Sequence, residues 1–259
     1  MKKNFGDNLK AVWNLIMKHW TLAIPAAIIG GAVGVIQYVV NLVGSTAITS
    51  WMTGSLLSGS WAGFLGSLIS SLVGSLVLGS ITYLLAVVAQ PMLYGMANDS
   101  INQGQTVKIT VESFFKYLGR DIIKYLPYWL VVTVAFNAVA VLLGVVTLIT
   151  IILPMAIALA AVIWPIFNMI TYPIMLNENV SLMPALKRSF QTIGKNFWMV
   201  VGVSIVLGIG VSIASGTLSL ILGWVPVLGS IVRGGIASAL SLVSIFYSLV
   251  VYRDARDGV

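Results

Sequence analysis

Residues 126–175 read LPYWLVVTVAFNAVAVLLGVVTLITIILPMAIALAAVIWPIFNMITYPIM, an uncharged stretch of 50 residues. As one helix it would be about 75 Å long, more than twice the ~30 Å hydrocarbon layer of a bilayer. It is expected to fold back, with the turn in the Gly144–Pro154 region, and to supply two membrane spans, Leu126–Val146 and Leu148–Tyr172.

Four further apolar runs lie on either side: Leu22–Val43, Leu65–Ala89, Phe197–Leu222 and Val232–Val251. Gly223-Trp224-Val225-Pro226-Val227-Leu228-Gly229 separates the last two with a Gly/Pro pattern suited to a tight hairpin. The expected fold is therefore all-α, a polytopic integral membrane protein forming a single membrane domain over 1–259. Composition agrees: 59% hydrophobic, 8% charged and a mean hydropathy of +1.02, against about 45–50% and about 25% in globular proteins. The start, Met1 to Trp20, is basic and amphipathic and lacks the pattern of a removable signal peptide, so the first span is expected to stay as an anchor.

Charge placement sets the orientation. Lys2, Lys3, Lys10 and Lys18 precede span one, and Lys108, Lys116, Arg120 and Lys124 lie between spans two and three. Lys187, Arg188 and Lys195 lie between spans four and five, and Arg253 and Arg256 follow span six. Thirteen of the fourteen basic residues thus fall on one side, which the positive-inside rule assigns to the cytoplasm; Arg233 alone dissents. All seven acids fall on the same side. A five-span chain would put Arg253 and Arg256 outside, so six spans with both termini in the cytoplasm are expected.

A polar segment with apolar residues at helical spacing stands before each odd-numbered span, the mark of a helix lying in the membrane interface. The segments are about 3–20, 108–124 and 184–196. Their apolar faces run through Phe5, Leu9, Val12, Trp13, Ile16 and Trp20; through Val111, Phe114, Phe115, Leu118 and Ile122; and through Leu186, Phe190, Ile193 and Phe197. Phe115 to Asp121 parallels Phe190 to Asn196, and Trp13 to Lys18 repeats the aromatic-to-basic spacing. The even spans end alike, in Asn98-Asp99, Asn177-Glu178 and Asp254. Six transmembrane helices as three hairpins, each preceded by a cytoplasmic interfacial amphipathic helix, form a parallel internal repeat.

Gly59 and Gly63 just before span two and Ser67, Ser71, Ser75 and Gly79 within it recur at every fourth position, and spans one and six add Gly30/Gly34 and Gly234/Ser238. Small residues let helix backbones approach where lipid offers no hydrophobic drive. The stripe serves packing within one subunit or self-association into a homo-oligomer. The outer segment Gly44–Ser58 is uncharged, and either an interfacial segment or a loose lid is open for it.

Chemistry-bearing constellations are sparse. Cysteine is absent, there is no His-Glu-x-x-His pattern, and the one histidine, His19, stands beside Trp20 as an ordinary interfacial residue. No catalytic, cofactor or metal site is expected, and the basic excess is read as topology and not as nucleic-acid binding. Asp99, Glu178 and Asp254 share a membrane face with Arg120 and Lys195, and they are expected to pair as a cytoplasmic charge network linking the three units. The same cations suit anionic lipid headgroups.

The stretch Tyr172-Pro-Ile-Met-Leu-Asn-Glu-Asn-Val-Ser-Leu-Met-Pro-Ala-Leu-Lys-Arg-Ser-Phe-Gln-Thr-Ile-Gly-Lys-Asn-Phe-Trp198 and the ending Val251-Tyr-Arg-Asp-Ala-Arg-Asp-Gly258 resemble the membrane domain of some glycerophosphodiester phosphodiesterases and of related stand-alone prokaryotic proteins. Pro91-Met-Leu-Tyr-Gly95 fits the same pattern loosely. The resemblance implies a six-span protein of a prokaryotic cytoplasmic membrane. The enzymes' catalytic domain has no counterpart in these residues, so their activity is not carried over. The expected function is a non-catalytic module that assembles by helix packing and organises lipids or partner proteins; the alternative is a transporter or channel for a neutral or lipid-like substrate.

Overall fold

The computed structural model describes residues 4–36, 89–135, 163–222 and 226–257, with positions 38, 139 and 160 singly. Among them every regular element is helical and none is a strand. The stripe Gly59, Gly63, Ser67, Ser71, Ser75 and Gly79, the segment Gly44–Ser58 and the Gly144–Pro154 turn lie outside the described residues.

Helix α1, Phe5–Lys18, starts at Asn4, whose N–H donates to Asp7 Oδ2 at 3.3 Å. It stops at His19, which leaves helical geometry (φ −117°, ψ 30°). The chain then bends by 72° into α2, Trp20–Ile36. Helix α3 covers 89–103 and ends at Gly104, which takes a positive φ of 69°. Helix α4, Val111–Trp129, is capped at Thr110, whose Oγ1 accepts from Ser113 N at 3.1 Å.

No break separates α4 from the expected third span. The helix runs through Pro127 into a widened π turn, Leu130–Ala135. Proline removes one helix donor, and a π turn is one way for a helix to absorb such a fault. The Val132 carbonyl inside that turn accepts from Trp164 Nε1 at 2.8 Å.

Residues 163–168 are helical and pass through a turn at Met169 and Ile170 into α5, Thr171–Glu178. Asn179 ends α5 in the left-handed region (φ 54°), a conformation that asparagine tolerates better than most residues. Helix α6, Leu182–Lys195, stops at Asn196 (φ −125°, ψ 24°), much as α1 stops at His19. Helix α7 is Phe197–Leu222 and α8 is Pro226–Asp257. The expected hairpin through Gly229 is therefore shorter than anticipated, because Val227, Leu228 and Gly229 are already helical. Proline as the first helical residue costs nothing, since its missing N–H would have had no helical partner.

Among the described residues two helices are long and apolar enough to cross a membrane, Phe197–Leu218 within α7 and Gly229–Arg256 within α8, or three if the bent pair α1–α2 is one span. In α7 only 11% of the apolar window is buried, and Trp198, Ile205, Ile209, Ile213, Leu220 and Ile221 all face outward. A helix apolar on every side and exposed along its length is matched to hydrocarbon, not water.

The core gathers around the second half of α8. Phe246, Leu249 and Val251 pack with Met92 and Met96 of α3, Ile174 of α5, Val12 of α1, Leu22 and Ala26 of α2, Ile193 of α6, and Val200 of α7. The first half of α8 lies against α2 through glycine: a methyl group built on Gly30 would overlap the Gly234 carbonyl, and one on Gly34 the Ser230 carbonyl. These backbones touch without side chains between them.

The amphipathic helices turn part of their apolar faces outward, as helices in a membrane interface do, and part onto the core, where Val12 and Ile193 are buried and Leu9, Ile16, Phe114 and Leu118 pack against it. Phe115 and Ile123 of α4 are exposed, and the buried stripe is Tyr117, Asp121 and Tyr125 at fourfold spacing. In α1, Trp13 is exposed while Asn8 and Val12 are buried; in α6, Phe190 is exposed while Ala185, Ser189 and Ile193 are buried. Where the surroundings are apolar, large apolar side chains gain nothing by turning inward and polar ones must find partners inside.

Candidate functional site

The ends of α3 and α5 meet through their matching Asn-acid pairs. Asn177 Nδ2 donates to Asn98 Oδ1 at 3.0 Å and to its own helix at Pro173 O, 2.9 Å, and Asn102 Nδ2 donates to Asn177 Oδ1 at 3.4 Å. An asparagine offers both donor and acceptor, so two such side chains can join helix ends without any net charge. Helix α8 enters from the third side: Tyr252 OH donates to Glu178 Oε1 at 3.2 Å.

Each acid next to these asparagines meets an arginine from the amphipathic helix that follows it. Arg120 of α4 reaches Asp99 Oδ2 at 2.7 Å, and Arg188 of α6 pairs with Glu178. Arg120 also grips Asp121 with two parallel bonds, Nε to Oδ1 at 2.7 Å and Nη2 to Oδ2 at 2.8 Å. This fork geometry is specific to arginine. Asp121 is 1% exposed, and its burial depends on Gly95, where a methyl group would overlap its Oδ2 and crowd the Tyr117 ring. The guanidinium lies 4.7 Å above the Tyr117 ring centre.

The electrostatics follow from this packing. Hydrogen bonds to Asp121 raise the Arg120 pKa further, although burial opposes them. Burial, followed by the nearby Asp99 charge, pushes the Tyr117 hydroxyl up to about 12.

A tyrosine cluster lies under the Arg120 pair. The Tyr172 ring meets Tyr94 edge-on at 5.1 Å and Tyr125 at 4.9 Å, with Tyr128 at 5.6 Å. Tyr172 OH points at the Asp121 carbonyl (3.4 Å), and Tyr94 OH accepts from Ser248 of α8 at 3.1 Å. The cluster connects α3, α4, α5 and α8 beside the charges.

Of the five residues expected to form the charge network, Asp99, Arg120 and Glu178 belong to this collar. Asp254 is buried near the end of α8. Lys195 lies apart, on an open groove of about 670 Å³ where α6 passes into α7. Asp121, Tyr117 and the Tyr252 hydroxyl were not anticipated; the adjacency of Arg120 and Asp121 was the available signal.

His19 differs from its expected interfacial role. It is 1% exposed, its Nδ1 is 2.8 Å from Thr106 Oγ1 in the loop after α3, and its ring lies 6.3 Å from Phe246. Burial, then the neighbouring Lys18 charge, lowers its pKa below the ordinary 6.5. Among the described residues no group of three or more His, Cys, Asp or Glu gathers as a metal site.

Comparison of the chain with protein-family models, with curated proteins and with solved structures gives no match. What the site can do is therefore read from its geometry. Its carboxylates are engaged by arginine or tyrosine, an arrangement that joins helix ends and fixes their spacing.

Proposed function

We propose that this chain is a non-catalytic membrane module of three hairpin units, joined at the cytoplasmic face by the Asp99–Arg120–Asp121 and Arg188–Glu178–Tyr252 collar, that organises lipids or partner proteins there. The observation that carries the reading is the direction in which the amphipathic helices face. They turn Asn8, Asp121 and Ser189 inward and leave Trp13, Phe115 and Phe190 outward, the arrangement of helices lying against lipid. The six-span topology, with both termini inside, follows from charge placement, and the resemblance to the phosphodiesterase membrane domain carries the same expectation.

Native mass spectrometry of the protein released from mild detergent tests the function. A defined oligomer or monomer retaining membrane lipid supports the module. One specific small molecule per subunit, together with its uptake into proteoliposomes, would replace it with the transporter. A reporter active only outside the cytoplasm, fused after Val259, should stay silent, and a strong signal would overturn the topology.

A further inference from the structure

Resting on the lipid-organising reading, we propose that the groove at the junction of α6 and α7 is a binding site for one anionic phospholipid. Three observations converge there. The groove, about 670 Å³, is lined by Phe167, Phe197, Trp198 and Met199 on its apolar side and by Lys195 and Asn196 at the junction. Its volume is within the ~300–1,000 Å³ range of small-ligand sites. The wall is preformed, because the Phe167 ring stacks between Phe190 at 5.0 Å and Phe197 at 5.5 Å.

The charge on the groove has one sign. Helix α6 contains Lys187, Arg188 and Lys195 and no acid. Arg188 is engaged by Glu178 from α5, whereas Lys195 lines the groove. A lysine ammonium recognises phosphate as a point charge with three donors.

The placement selects the occupant. Lys195 ends an amphipathic helix, and two residues later α7 begins an apolar stretch long enough to span a bilayer. Trp198, 82% exposed, marks that boundary, where tryptophan is enriched in membrane proteins. A ligand here meets a cation at headgroup depth and aromatic rings just below it. A phosphate at Lys195 with acyl chains running over Phe167 and Phe197 satisfies both, which neither a soluble anion nor a neutral lipid does.

The test is native mass spectrometry of the full chain in mild detergent, with phosphatidylglycerol or phosphatidylcholine of identical acyl chains added. Two variants separate headgroup from cavity. Lys195→Gln removes only the charge and should reduce phosphatidylglycerol retention about fivefold, the effect of one cation near an anionic headgroup, while leaving phosphatidylcholine unchanged. Gly194→Leu should fill the groove and abolish the additional bound phosphatidylglycerol; a Cβ at 194 would lie 3.8 Å from Phe167 Cε1, an ordinary contact, so the variant should fold. Equal phosphatidylglycerol retention by the wild type and both variants would overturn the proposal. So would displacement by millimolar glycerol 3-phosphate, which would indicate a soluble anion, or a co-purified polypeptide displaced by Gly194→Leu. Retention in carbonate-washed membranes is measured alongside. A chain that washes off overturns the membrane reading and the groove together, whereas a retained chain with equal lipid binding in all three forms overturns the groove alone.

Discussion

Gly30 and Gly234 bring the backbones of α2 and α8 into direct contact: a methyl group on either would overlap the main chain of the other. Gly34 meets Ser230 in the same way one turn along, and a Cβ at Gly235 would stand 3.0 Å from the Ala27 carbonyl. Helix α2 lies near the start of the chain and α8 near its end, so this contact ties distant parts of the sequence together. In lipid, such a contact is held by close van der Waals packing, and side-chain volume at the seam works against it.

Gly30→Ala and Gly234→Ala are each expected to destabilise the protein by at least the ~1–3 kcal/mol typical of overpacking, because the obstructing atoms are backbone and cannot rotate away. Gly208→Ala in α7, where nothing lies within 4 Å of the added carbon, is the control. Thermal unfolding in detergent should show a clear drop for the first two and none for the third. A Gly30→Ala melting temperature equal to the wild type would refute the contact.

The Arg120 prediction turns on Asp121, which is almost fully buried while Arg120 is 41% exposed at its side chain. Removing the cation leaves a buried carboxylate without its fork. Loss of one partner of a fully buried pair costs about 3–5 kcal/mol, and the exposure of Arg120 places the cost of Arg120→Ala below that range. Arg120→Lys should recover only part of the loss, since an ammonium cannot make the two parallel bonds. Asp121→Asn in the Arg120→Ala background should restore stability, and chemical denaturation of the single and double variants measures it. A double variant less stable than Arg120→Ala would contradict this account.

The helices were legible in the sequence wherever one period or one breaker decided them. Phe197–Leu222 stands at the expected bounds, and α1 and α6 fall close to theirs because His19 and Asn196 interrupt the amphipathic pattern just before Trp20 and Phe197. Helix α4 had no such residue between Lys124 and Leu126, and it continued through Pro127.

The collar was only half visible. Asn98-Asp99 and Asn177-Glu178 could be aligned by eye, so Asp99, Arg120 and Glu178 were found. The apolar face of α4 was legible as that of an interfacial helix, and Phe115 is exposed as such a face requires. The burial of a charged residue, Asp121, was not legible, because it depends on the absence of a side chain at Gly95 on another helix. The pairing of Gly30 with Gly234 joins residues 204 positions apart, a distance over which local pattern names the residues and not their partner.

His19 gives the fold a pH dependence. Its folded-state pKa is lowered below 6.5 by burial and by Lys18. Above pH 6.5 the imidazole is neutral in both folded and unfolded chains, and its contribution to stability is complete. As the pH falls below 6.5 the unfolded chain takes up the proton first, so stability is lost down through the lowered folded-state value. The melting temperature of the wild type should decrease between pH 7.5 and pH 5 more than that of His19→Phe, which cannot titrate. Parallel pH profiles for the two proteins would assign the acid sensitivity to other groups.

Glu178 receives Arg188 from α6 and Tyr252 from α8, so a single side chain joins two helices to the end of α5. The ion pair is partly exposed, with 47% of the Arg188 side chain open to its surroundings, and pairs of that kind contribute only about 0.2–1 kcal/mol. The Tyr252 bond adds about 0.5–1.5 kcal/mol, or somewhat more because its acceptor is charged. Tyr252→Phe should therefore destabilise by about as much as Arg188→Ala or more, an order that a count of salt bridges alone would invert. Reversing one charge, Glu178→Arg, should cost more than either, since it sets two cations together and removes the acceptor from Tyr252. Adding Arg188→Glu should restore the ion pair but return the tyrosine acceptor only if the new carboxylate reaches Tyr252 from α6. The double variant is thus expected to recover part of the loss in thermal unfolding. Full recovery would show that Tyr252 contributes little to the joint, and no recovery would show that Arg188 and Glu178 are not coupled.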